Sequence, residues 1–181
     1  MAIEGDIKKL SRYIEFDESN FKVYSIELSR LLLTACSEVD VVMKELCKLI
    51  DPNSKAENIN GYKRVIKEKL LYIVNGGVNC PLYGLTLFPW SKWKGEGNPE
   101  WWVSYNKVKH ERNNNYRRAN LKNVLNAVAG LFVINIQYNH ALFMSENTDY
   151  PYDLRHSFAN LKPAPELFML DDPFLFLYFR E

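Results

Sequence analysis

Between Trp101 and Arg112 the chain reads Trp-Trp-Val-Ser-Tyr-Asn-Lys-Val-Lys-His-Glu-Arg, so aromatic rings, an amide, cations and a histidine fall within about three helical turns. On a helical wheel Trp101, Tyr105, Val108 and Arg112 share one stripe, and Trp102, Asn106, Lys109 and Asn113 share the stripe beside it. Such a set could hold a phosphate through Lys109 and Arg112, orient it through Asn106 and stack a base on Trp101, Trp102 or Tyr105. His110 carries a ring suited to proton exchange near neutral pH. His110 and Arg112 point about 200° apart on a regular helix, and they meet only if the helix unwinds near Asn113. The same residues also have a purely structural reading. In it Asn106 ties the helix to a loop carbonyl, Lys109 and Arg112 lie over aromatic rings, and His110 stays in water.

Helices must position this segment. Asn98-Pro99-Glu100 predicts its start: Asn can cap, Pro fits the first helical position, and Glu suits the positive end of the dipole. Asn113-Asn114-Asn115 predicts a bend. Beyond it, two apolar rows, one from Leu121 to Leu142 and one from Leu125 to Ile136, predict a helix that is apolar over most of its surface. Upstream, Phe21 to Leu49 alternates apolar steps of three and four after the cap residues Asp17 to Asn20, and Ile59 to Ile73 repeats the spacing. Asn75-Gly76-Gly77 should close that second helix with a positive φ. From Val78 to Asn98, Pro and Gly break the helical period. Within that loop Tyr83 to Phe88 could pair as a strand with the apolar run Phe174 to Phe179, which would need cover. Residues 146–181, with four prolines, read as a segment wrapping a single domain of 1–181.

Composition narrows the function. A chain of 181 residues, 47% hydrophobic and 14% aromatic, can build one well-filled core and is not of the disordered class. Net charge is +1, yet eight basic residues face three acidic ones from Lys92 to Lys122, and seven acidic face three basic from Glu146 to Glu181. The middle of the chain could attract an anion and the tail could not. The polar amino terminus has no secretory pattern, and Val124 to Ile136, interrupted by Asn126 and Asn135, is too short an apolar run to cross a bilayer. Cys36 and Cys47 stand about 16 Å apart on one helix, beyond disulfide reach, and Cys80 lies in the loop. All three read as reduced, structural thiols. No Cys or His pair has zinc spacing and no phosphate loop or nucleophile motif occurs, so no metal or cofactor is expected. Asp153-Leu154-Arg155-His156 brings an acid, a cation and a base together but matches no motif spacing, and His140 reads as a core or boundary histidine.

The aromatic pair, Tyr-Asn-x-x-Lys-His-x-Arg, the polar bend and the long apolar helix together resemble small bacterial proteins of the HEPN superfamily. The likeness covers roughly residues 20–145 in architecture and about a dozen residues in motif. It implies a helical bundle, often dimeric, that is a metal-independent ribonuclease of phage defence or a toxin–antitoxin system, or else a binder of nucleotides or partners. In that frame His110 and Arg112 are catalytic, while Trp102, Tyr105, Asn106 and Lys109 bind substrate. The superfamily's usual active motif is an Arg followed after four to six residues by a His, and no Arg stands at that distance before His110, His140 or His156. The expectation is thus a mainly α, cytoplasmic bundle of four or five helices, with at most a small two-stranded sheet. It would bind RNA or a nucleotide, form a homodimer and need no membrane. The competing class is a non-enzymatic interaction or dimerisation module.

Overall fold

The computed structural model describes residues 2–146, Ser157 and 164–171. It is mainly helical. Helix α2 (Ile26–Ile50) and helix α7 (Leu121–Glu146) pack along one another and form the centre. The apolar row Leu28, Leu31, Leu32, Ala35, Val39, Met43 and Leu46 of α2 is wholly buried, as its spacing requires. α7 is buried on nearly every side from Leu121 to Ile136. By length and composition α7 could cross a membrane, but 61% of its most apolar window is buried inside the fold, so the core accounts for its apolarity.

Helix α2 begins five residues later than the apolar row suggests. Ser25 is its cap, with Oγ accepting from Leu28 N at 3.1 Å. The segment before it is extended, because the carbonyls of Phe21 and Val23 accept from Lys122 N and Leu121 N at the start of α7. Asp17 caps only a 3₁₀ turn, Glu18–Asn20. Helix α1 (Ala2–Leu10), which the polar start did not suggest, lays Ile7 and Leu10 on the core.

Helix α3 (Ile59–Lys69) is capped by Asn58 and breaks at Leu70, before the single turn α4 (Tyr72–Asn75). Gly76 closes it in an extended conformation at φ −74°, which corrects the expected positive φ. Among the described residues the positive φ belongs to Gly84, at 62°, between strands β1 (Val78–Cys80) and β2 (Leu85–Leu87). Strand β2 lies inside the segment expected to be extended, but its partner is β1, in register Val78 with Leu87. A third strand, β3 (Met169–Leu170), pairs with the other edge of β1, so the antiparallel sheet has three strands and not two. The run Phe174 to Phe179 lies outside the described residues.

Helix α5 (Glu100–His110) starts where the sequence places it, although Pro99 and not Asn98 holds the cap position. Asn98 instead donates from Nδ2 to Asn60 Oδ1 at 3.0 Å. The helix ends at Glu111, two residues before the expected bend, and is followed by α6 (Arg112–Asn115) and a 3₁₀ turn, Tyr116–Arg118. Tryptophan rings fix α5 in place. Trp90 lies 4.4 Å from Trp93 and 5.0 Å from Trp101, which lies 5.9 Å from Trp102. Trp101 Nε1 donates to the Pro89 carbonyl at 2.8 Å, locking the loop after β2 to α5.

Candidate functional site

The break at Glu111 decides the fate of the residues singled out by sequence. Glu111 has φ −138° and ψ 51°, outside the helix, so Arg112 leaves the stripe that holds Trp101 and Tyr105. Trp101, Tyr105 and Val108 are buried as the wheel places them, whereas Arg112 is exposed. Arg112 donates to Ser29 Oγ at 3.2 Å and sits 5.6 Å from the Tyr116 ring. His110 is exposed, and no hydrogen bond joins it to Arg112 among the described residues. Lys109 lies 5.5 Å over the Tyr105 ring. Asn106 donates to its own helix, at Trp102 O, and not to a loop. Trp102 is buried against Tyr105 at 5.2 Å, which leaves neither ring a free face for a base. These six residues share a segment, and none of them lines the cleft that opens beside it.

A cleft does open on the neighbouring surface. It measures about 880 Å³ and lies between the loop after β2, the first turns of α5, the α6 to 3₁₀ segment and the start of α7. Lys92, Arg117, Arg118 and Lys122 line it, against the carboxylates Glu18 and Glu100. Arg118 is committed: Nη1 bonds Glu100 at 3.2 Å and Nε bonds Asn115 Oδ1 at 3.2 Å. Arg117 lies 5.9 Å over Tyr24, and Lys122 lies 5.9 Å over Phe21. A cation over a ring keeps its charge and its outward donors, unlike one paired with a carboxylate. Lys92 has no ion pair within the described residues.

Helix α7 starts at this cleft, and its dipole adds positive potential there. Its amides are already used, however. Leu121 N and Lys122 N donate to Val23 O and Phe21 O, Asn123 N donates to Asn120 Oδ1, and Val124 N donates to Asn120 O. An anion in the cleft would therefore be held by side chains, not by the helix terminus. Phe88, 48% exposed, stands on the same cleft and offers a ring face.

Sequence reasoning found the charge of this region and not its shape. Lys92, Arg117 and Lys122 all belong to the basic stretch from Lys92 to Lys122, whereas the asparagines at 114, 115, 120, 123 and 126 that share the cleft had no spacing that marked them as a site. The three cysteines are free and buried, and burial pushes the thiols of Cys47 and Cys80 up to about 12 and Cys36 well above its usual value. None of them is a nucleophile at neutral pH. His140 is buried, 7% exposed, as a core histidine should be. The set at 153–156 lies outside the described residues, and no group of His, Cys, Asp and Glu suited to a metal occurs within them. No family model, curated protein or solved structure matches this chain.

Proposed function

We propose that this protein binds RNA or a nucleotide by its phosphates in the cleft between α5 and α7. One observation carries the reading: three cations, Lys92, Arg117 and Lys122, converge on a cleft of about 880 Å³ without a carboxylate partner of their own among the described residues. Phosphate is the ligand group that such a set neutralises, and Phe88 and the half-buried Phe21 give the apolar faces that a base needs and a bare anion does not. The resemblance to HEPN proteins favours the same ligand class. Cleavage, in this reading, rests on His110, whose exposure leaves it open to a bound strand.

Anisotropy of a labelled RNA measured against salt tests the binding. Lys92→Ala and Arg117→Ala should each weaken it several-fold and flatten its dependence on salt by about one counterion. Lys109→Ala and Arg112→Ala should change it less. The opposite ranking would move the site to the 101–112 segment. Any cleavage that persists in excess chelator should vanish in His110→Ala. The interaction-module reading predicts no RNA binding by any variant, beside a stable dimer in sedimentation.

A further inference from the structure

The floor of the cleft places a demand on its ligand that the charged rim does not. Asn123, only 6% exposed, donates from Nδ2 to the Arg118 carbonyl at 2.9 Å and to Ser104 Oγ at 3.1 Å. A carbonyl can only accept, so the amide nitrogen must face Arg118 and the oxygen Oδ1 must face away. Asn123 lines the cleft, and its Oδ1 receives no hydrogen bond among the described residues. Asn126, three residues on and also lining the cleft, repeats the arrangement: Nδ2 donates to Lys122 O at 2.9 Å, and Oδ1 receives none among the described residues. Two cleft-lining asparagines thus have their amide nitrogens turned to backbone carbonyls and their oxygens left to accept, on the same wall as Lys122.

Phosphate oxygens have nothing to give these acceptors, because they are acceptors themselves. An acceptor that a bound ligand covers without giving it a donor loses its water at a cost, so the ligand that fits carries N–H or O–H donors as well as negative charge. Glu18 and Glu100 add to the same preference for donors. Among nucleobases, cytosine offers two N–H donors on its amino group, one for each oxygen, where uracil, of the same size, offers a single ring N–H between two carbonyls. Building on the phosphate-binding reading, we infer that the cleft selects a base with an edge amino group through Asn123 and Asn126, and discriminates against uracil.

The test titrates the full chain with short homopolymers of about six nucleotides, oligocytidylate and oligouridylate, and with an abasic ribose–phosphate strand of equal charge. Cytidylate should bind about two- to tenfold more tightly than uridylate, the range of one net hydrogen bond, and the abasic strand should bind least. In Asn126→Ala, where the lost side chain bonds only Lys122 O of its own helix among the described residues, the ratio of cytidylate to uridylate affinity should shrink towards one. Asn123→Ala should do the same wherever its melting curve shows a folded protein. Equal or tighter binding of uridylate, or an abasic strand bound as well as cytidylate, would overturn base selection while leaving phosphate binding in place. A ratio unchanged in Asn126→Ala would also overturn it. Failure of all three strands to bind would overturn both readings.

Discussion

Glu4 shows how much a single buried carboxylate can organise. Only 4% exposed, it accepts from Glu166 N at 2.9 Å and from Leu167 N at 2.8 Å, and so ties α1 to the segment that carries Phe168 and β3 back onto the core. Lys8 pairs with Glu166 at the surface of the same joint. Removing the acceptor leaves two amides short of a partner, so Glu4→Ala should destabilise the protein by about 1–3 kcal/mol. Hydrogen exchange at Glu166 and Leu167 should quicken in the same variant, while Glu4→Gln, which keeps an acceptor oxygen, should lose less. Unchanged exchange at both amides would refute the role. Residues of this kind were not legible in sequence, because Glu4 and Leu167 meet only through the fold. The same holds for the cleft: Lys92, Arg117 and Lys122 were visible as positive charge, but the turn that separates Arg117 from Arg118, one held over Tyr24 and the other held by Glu100, follows from a 3₁₀ geometry that no spacing announces.

At the level of elements, the joint between α5 and α7 sets the shape of the cleft, and Gly130 makes that joint possible. A Cβ there would stand 3.2 Å from Trp101 Cζ2 and 3.4 Å from Trp90 Cζ2. Neither ring is free to yield, since Trp101 is bonded to the Pro89 carbonyl and Trp90 is fully buried. Helix propensity alone would favour Gly130→Ala by about 1 kcal/mol. Overpacking opposes it by about 1–3 kcal/mol. The substitution should therefore lower the melting temperature by a few degrees, and a bulkier side chain should lower it further; a higher melting temperature for Gly130→Ala would mean that the rings can move. The long helices α2 and α7 were legible because many turns repeat one apolar spacing. α1 was not, since nine residues with Ile3, Ile7 and Leu10 among charges acquire meaning only from the surface they cover. The strands, at two or three residues each, are too short to display an alternation.

For the molecule as a whole, a net charge of +1 conceals a separation between the basic stretch from Lys92 to Lys122 and the acidic one from Glu146 to Glu181. Folding brings four of the eight basic residues of that stretch to one cleft, at the start of the central helix and with Trp101 in its wall. The separation of charge was legible in the sequence. The convergence was not, because it depends on how the loop after β2, two helices and a 3₁₀ turn fold back on one another. Amide chemical-shift mapping of the 21.2 kDa chain during titration with a short cytidylate strand tests this arrangement most directly. The account predicts that the largest shifts fall at residues 86–92, 99–104 and 114–126 and that they fade as salt is raised. Shifts confined to other surfaces, or no shifts at any strand concentration reached, would contradict it.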